Sequence, residues 1–261
     1  MAPGPDNQIQ MPRYFLEVSY KGSSYSGFQV QDNANSVQEE VEKAFETFFR
    51  KRISMTGASR TDTGVHALQN FFHFDMEEEF PGRSAYNINA ILPSDIAINH
   101  IYPVGPEAHC RYDAQSRVYH YFIIQKKNPF LQDRAYFYPF RLSKEFLDSA
   151  AQILRGYEDF TSFSKRNTQA KTALCVVLES RWVARDGCLV YEVRANRFLR
   201  GMVRGLVGTM LLVGTGKLSL DEFRVVIEGK DCSRADFSVP GQGLFLGEIR
   251  YPEGMLGLPL Y

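Results

Sequence analysis

The hydrophobic pattern runs through a similar order of elements twice, and that repetition limits the fold more than any other feature of the chain. Residues 14–20 read as a strand and 21–24 as a turn. Ser36 then opens a helix, with Glu39 three residues on in capping-box spacing. Val37, Val41, Ala44, Phe45 and Phe48 make its apolar face. A strand follows over residues 68–74, where Phe72 and Phe74 alternate with Phe71 and His73. Residues 84–91 read as a short helix or loop, and 96–104 as another strand.

The second half begins with a strand over 116–125 and a turn-rich crossing over 128–138. A helix runs from 142 or 143 to about 155. Strands over 175–184 and 188–195 flank the turn Arg185-Asp186-Gly187, a hairpin signature. A helix is expected over 197–213, a second capping box at Ser219 and Glu222 opens a helix to 228, and 244–251 is a last strand. The likeness of the halves lies in element order alone, since no residue-level repeat is visible. The pattern predicts an α+β fold with helices packed outside the sheets. Its units cover residues 12–109 and 110–261, follow a Pro-, Gly-, Asn- and Gln-rich flexible tail over 1–11, and join through a linker over 105–113.

At 261 residues, either one large domain or two small ones can bury a core. The 30 basic and 30 acidic residues cancel. Zero net charge argues against a generally basic nucleic-acid binder but leaves room for a local basic surface. Four widely spaced cysteines (Cys110, Cys175, Cys188 and Cys232) contain no CxxC pair, so reduced thiols in a cytoplasmic protein are expected. Neither they nor the five histidines cluster along the sequence as zinc ligands do, and no metal is expected. No basic start followed by an apolar run marks a secretory leader, and no window approaches the ~20 apolar residues of a membrane span.

One turn carries chemistry. Gly57-Ala58-Ser59-Arg60-Thr61-Asp62-Thr63-Gly64-Val65-His66-Ala67 puts a carboxylate between an arginine and small residues that let a ligand approach the backbone. By composition alone this equally describes a solvated Asx-type turn. Arg197, Arg200 and Arg204 fall at i, i+3 and i+7 and share a face if the segment is helical, either as a solvated face or as phosphate contacts. Gly201, Gly205 and Gly208 recur at i, i+4 and i+7, which lets another element come close. Arg13, Lys21, Lys165, Arg166 and Lys171 read first as solvated surface charges and second as RNA-backbone contacts.

The turn resembles the G-x-G-R-T-D-A-G-V-H-A signature of the tRNA pseudouridine synthases that act on the anticodon arm, with Ser59 and Thr63 replacing a Gly and an Ala. More of the chain carries the resemblance. Residues 20–29 resemble Y-D-G-x-x-F-x-G-F-Q, 89–96 resemble N-x-x-L-P-x-D-I, and 108–114 resemble F-H-A-R-F-D-A. Arg117, Tyr119 and Tyr121 fit R-x-Y-x-Y; residues 159–163, 196–204 and 243–246 fit D-F-x-S-F, N-x-F-L-x-x-M-V-R and G-L-Y-L.

This resemblance implies two similar RRM-like halves with a catalytic cleft between them, no cofactor, tRNA as partner and a homodimer. It implies isomerisation of uridine at positions 38, 39 and 40, with the target base extruded into a pocket. Asp62 is then the catalytic carboxylate, acting at C1′, at C6, or by removing the C2′ proton to give a glycal. Tyr119 stacks on the uracil, and Arg204 keeps Asp62 ionised and oriented. Arg60 supports extrusion, Arg197 and Arg200 contact phosphate, and Leu246 packs against the nucleoside. Three other readings compete: a noncatalytic RNA-binding protein, a hydrolase using Asp62 with His66, and a silent scaffold for tRNA folding.

Overall fold

The computed structural model describes residues 11–166 and 171–261. The tail expected over residues 1–11 therefore lies, apart from Met11, outside the described residues. The first half contains β1 (Arg13–Tyr20), α1 (Val37–Phe49), β2 (Thr56–Gly57), β3 (His66–Asp75), α2 (Ser84–Ile91) and β4 (Ile96–Val104). The second contains β5 (Ser116–Ile124), β6 (Tyr136–Phe137), α3 (Lys144–Ile153), β7 (Val177–Arg185), β8 (Cys188–Ala195), α4 (Met202–Gly214), α5 (Leu220–Glu228) and β9 (Leu244–Arg250). The architecture is mixed α+β.

Both halves share one sheet, ordered β4-β1-β3-β9-β5-β8-β7, with β2 on β3 and β6 on β5. The first half runs β4-β1-β3-β2 and the second β9-β5-β8-β7. Each thus places its own fourth main strand beside the first, then the third, then the second. The halves meet where β9 pairs parallel with the start of β3, His66 against Phe245 and Ala67 against Leu246. On its other side β9 runs antiparallel to β5. The last strand of the chain is therefore the seam of the sheet.

Side-chain alternation decides what covers each face of the first half. Tyr14 and Phe74 are cross-strand partners stacked at 5.6 Å between ring centroids, and Phe45 of α1 meets Phe74 edge-on at 5.4 Å. On the opposite face, Phe15 and Phe71 pack against Tyr251, whose hydroxyl donates to the Cys110 carbonyl at 2.6 Å. Helix α1 thus covers one face, while the 105–113 connection and the chain after β9 cover the other.

Local signals act as the sequence predicts at several places. Ser36 accepts from the Glu39 amide, and Ser219 with Glu222 completes a full capping box. Asp186 and Gly187 both have positive φ, as a two-residue hairpin turn requires. The short strands β2 and β6 have no pattern of their own; β2 exists because Thr56 and Gly57 meet His73 and Phe72 of β3. The helix expected from residue 197 starts only at Met202, because Gly201 adopts a left-handed φ of 74° and ends the preceding turn. Arg197 and Arg200 therefore lie before the helix, and the shared helical face with Arg204 does not form.

Candidate active site

The loop bearing Asp62 hangs between β2 and β3 and is fixed largely by uncharged groups. The Tyr20 hydroxyl lies 2.8 Å from Thr61 Oγ1, and Asn70 Nδ2 donates to the Ser59 carbonyl at 2.8 Å. The Phe28 amide donates to the Thr61 carbonyl at 3.1 Å, and the Val65 amide closes the turn on the Asp62 carbonyl. Asn70 is fully buried and Tyr20 nearly so, so this network is shielded from competing water. Gly22 packs so tightly against the Val65 carbonyl that a Cβ there would collide with backbone. The result is a rigid loop with a partly exposed aspartate at its tip.

His66 ends the loop. Its Nδ1 accepts from the Gly22 amide at 3.1 Å, which puts the proton on Nε2 and makes Nε2 the donor to the Gln242 carbonyl at 3.1 Å. The ring is buried and stacks on Phe245 at 4.5 Å. Burial lowers its pKa and keeps it neutral. Both nitrogens are committed to backbone, so His66 secures the seam and is not placed as an acid–base partner for Asp62.

The second half brings Arg204 to the same loop. Its Nη1 is 3.8 Å from Asp62 Oδ2, with the side chains 18% and 33% exposed. That is ion-pair range but longer than a tight charge-assisted hydrogen bond, so the carboxylate is paired without being clamped. Two carbonyls of the 235–240 segment hold the guanidinium: Nε donates to Val239 at 2.8 Å and Nη2 to Phe237 at 3.3 Å. The glycine rhythm makes this possible. A Cβ at Gly205 would sit 2.7 Å from the Phe237 ring, and one at Gly208 would strike the Asp236 carbonyl. Small residues let the strap lie directly on α4, and the strap then orients the arginine.

Tyr119 and Leu246 come from the seam. Leu246 pairs with Ala67 on one side and Tyr119 on the other, so the three share a face across three strands. The register shifts between Val118 and Tyr119, a bulge that turns the strand locally, and bulges re-aim side chains beside active sites. Tyr119 is 8% exposed and meets Phe198 edge-on at 4.9 Å. Burial pushes its phenol up to about 12; Arg117 works against that rise, and the charge of Asp62 adds to it. Leu246, in the middle of this row, is fully buried.

The structure thus gathers Asp62, Arg204, Tyr119 and Leu246 around the β3–β9 seam. Arg60 is exposed two residues before Asp62. Arg200 is exposed and Arg197 half-buried in the turn leading to α4. Arg13 and Lys21 are in ion pairs with Asp75 and Asp133. Sequence reasoning missed the Tyr20–Thr61–Asn70 support, and it placed Arg117 in the R-x-Y-x-Y match without its burial or its role. Three carbonyls (Arg111, Ala114 and Asn196) satisfy the Arg117 guanidinium, which also reaches toward Ser59 Oγ at 3.5 Å. Nothing in the local pattern marks Asn70, whose partners Ser59 and Tyr20 lie 11 and 50 residues away, and the R-x-Y-x-Y match places Arg117 without showing that it is buried or reaches the Asn196 carbonyl 79 residues on.

Residues 17–113 and 150–252 match the sequence model of the tRNA pseudouridine synthase family. The chain belongs to the tRNA pseudouridine synthase family. It is 45% identical over 245 residues to tRNA pseudouridine synthase A of Parabacteroides distasonis, covering 93% of this chain and 97% of that protein. The protein of the same name from Porphyromonas gingivalis is 44% identical over 250 residues, covering 94% and 99%. That from Staphylococcus aureus is 34% identical over 247 residues, covering 94% and 92%. As a family member the chain is an enzyme that isomerises uridine to pseudouridine in tRNA. Among the described residues, no helix is long and apolar enough to cross a membrane.

Proposed function

We propose that the enzyme acts on uridines 38, 39 and 40 of the anticodon stem-loop, with Asp62 as the catalytic carboxylate. The observation that carries this reading is the approach of Arg204 to Asp62 at 3.8 Å, from opposite halves of the chain. A cation at that distance orients the carboxylate, the group that attacks C1′ or C6 or removes the C2′ proton. Tyr119 stacks on the extruded uracil and keeps it from escaping while it turns. Leu246 backs Tyr119 and the nucleoside from the seam.

Arg60 occupies the vacated base position, and Arg197 and Arg200 contact phosphate. The repeated strand order supports reading the halves, over 12–109 and 110–261, as two RRM-like units with the catalytic cleft between them. A homodimer in the cytoplasm supplies a composite basic surface that one neutral chain lacks, which serves a substrate recognised by shape and phosphate position. No cofactor is required, because the reaction breaks one glycosidic bond and forms another within the same nucleotide.

Incubation with tRNA labelled with tritium at uracil C5 tests the assignment. The unaltered protein is expected to release tritium to water while leaving the RNA intact. Asp62→Ala is expected to lower release roughly 10⁴-fold or more, as loss of an essential catalytic group does. Equal release by both proteins refutes the role of Asp62, and cleaved RNA or liberated uracil refutes isomerisation.

A further inference from the structure

At the far end of β3 from the Asp62 loop, three side chains that bind soft metal ions converge. His73 comes from β3, and His109 and Cys110 come from the connection between the halves. One ligating atom from each lies within 4.8 Å of the others. Sequence spacing gave no sign of this cluster, because 35 residues, with α2 and β4 among them, lie between His73 and His109. Cys110 also stands where the F-H-A-R-F-D-A motif has alanine.

The geometry is close to that of a first coordination sphere. Cys110 Sγ lies 3.2 Å from His73 Nδ1 and donates to the Thr56 carbonyl of β2 at 3.1 Å. The His73 and His109 rings meet edge-on at 4.5 Å. Tetrahedral Zn²⁺, with bonds of about 2.0–2.1 Å to nitrogen and about 2.3 Å to sulfur, holds its ligand atoms roughly 3.3–3.8 Å apart. The Nδ1 atoms of His73 and His109 accept from the Cys110 and Arg111 amides at 3.4 and 3.2 Å, so ligation uses Nε2 or exchanges those contacts as the side chains close on the ion. His73 and Cys110 are buried, while His109 is half-buried beneath the exposed ring of Tyr112, which leaves a way in from solvent.

The Cys110 thiol carries the proton it donates to the Thr56 carbonyl, and a bound cation replaces that proton. Arg13, Arg111 and Arg117 stand nearby as positive charges, offset by Asp75 and Asp113; Arg13 is already paired with Asp75 at 2.7 Å.

We propose that His73, His109 and Cys110 form a binding site for a Zn²⁺-like transition-metal dication, with Cys110 bound as thiolate. Binding breaks the S–H bond, forms one metal–sulfur and two metal–nitrogen bonds, and releases one proton to solvent; no electron is transferred. A water molecule completes the tetrahedron. The bound ion ties β3 to the connection between the halves, beside β2.

Titration of the full chain with Co²⁺, whose thiolate complexes absorb in the near ultraviolet by charge transfer, tests the site. One equivalent is expected to saturate the band, release one proton in weak buffer, and be displaced by Zn²⁺. Cys110→Ala is expected to abolish the band and weaken uptake roughly 10- to 100-fold or more, since even changes behind the ligands cost that much. His109→Gln, at a half-buried position, is expected to weaken it similarly while leaving the melting temperature in chelator near that of the unaltered protein. Cys232→Ser is expected to change nothing. Failure of the unaltered protein to show a saturable band overturns the proposal, as does a band that survives Cys110→Ala or is lost in Cys232→Ser.

Discussion

Helices α2 and α4 occupy the same place in the order of the two halves, between the third and fourth main strands, yet their surroundings differ sharply. In α2, only Ser84, Ala85 and Ile88 of eight residues are buried, and Tyr86 is 71% exposed. In α4, all thirteen residues are buried except Arg204 and Leu212. Helices α3 and α5 and the strap over residues 235–240 make the difference, since together they cover faces that α2 leaves to solvent. An arginine in the first turn of a helix is opposed by the helix dipole, by about 0.3–1 kcal/mol. Arg204 sits there on an otherwise buried helix, with two strap carbonyls and Asp62 around it. The comparison teaches that the second half buries its helix on several sides and uses one of them, the strap, to aim a single side chain at the loop of the first.

The largest break in that comparison is at the arginine. Arg204→Lys keeps the charge but loses the fork that spans the Val239 and Phe237 carbonyls. Tritium release is expected to fall about 10- to 100-fold in kcat with the fold unchanged, as for other orienting groups behind a reactive one. An unchanged kcat would show that a positive charge, without the guanidinium fork, is all that Asp62 needs.

Gly208→Ala tests the strap itself. The added methyl meets the Asp236 backbone carbonyl, and overpacking of this kind costs about 1–3 kcal/mol. Thermal melts are expected to register that loss, and activity is expected to fall because Arg204 loses its carbonyl acceptors. A stable, fully active variant would mean the close approach is incidental.

The seam offers a smaller, pH-dependent effect. His66 has a folded-state pKa below its ordinary value because it is buried, so the unfolded chain takes up the proton first. Its contribution to stability is intact above the ordinary histidine value and is lost as pH falls through the window between that value and the lowered one. Melting temperatures between about pH 7.5 and about pH 5 are expected to decline less steeply in His66→Gln. Parallel curves would remove His66 from the account of the seam. Smallest of all, Tyr86→Ala on α2 is expected to shift stability by no more than about 0.5 kcal/mol, the range for exposed sites; a larger loss would show that α2 is covered in solution.

Local patterning determined much of this protein. The α+β class, the apolar face of α1, the capping box at Ser219 and Glu222, the Asp186-Gly187 hairpin and the placement of Asp62 in a small-residue turn are all legible because each rests on neighbours within a few positions. The Gly205 and Gly208 rhythm announced a close approach without naming its partner. Only the tertiary structure decided that Gly201 delays α4 to Met202 and separates Arg197 and Arg200 from Arg204. It also decided that β9 returns to join β3 and β5, setting Leu246 between Ala67 and Tyr119, and that His73, His109 and Cys110 meet. The physical reason is the same in each case. Turn, cap and period are short-range energies written along the chain, whereas parallel pairing, a strap over glycines and convergent ligands depend on contacts between residues tens to hundreds of positions apart.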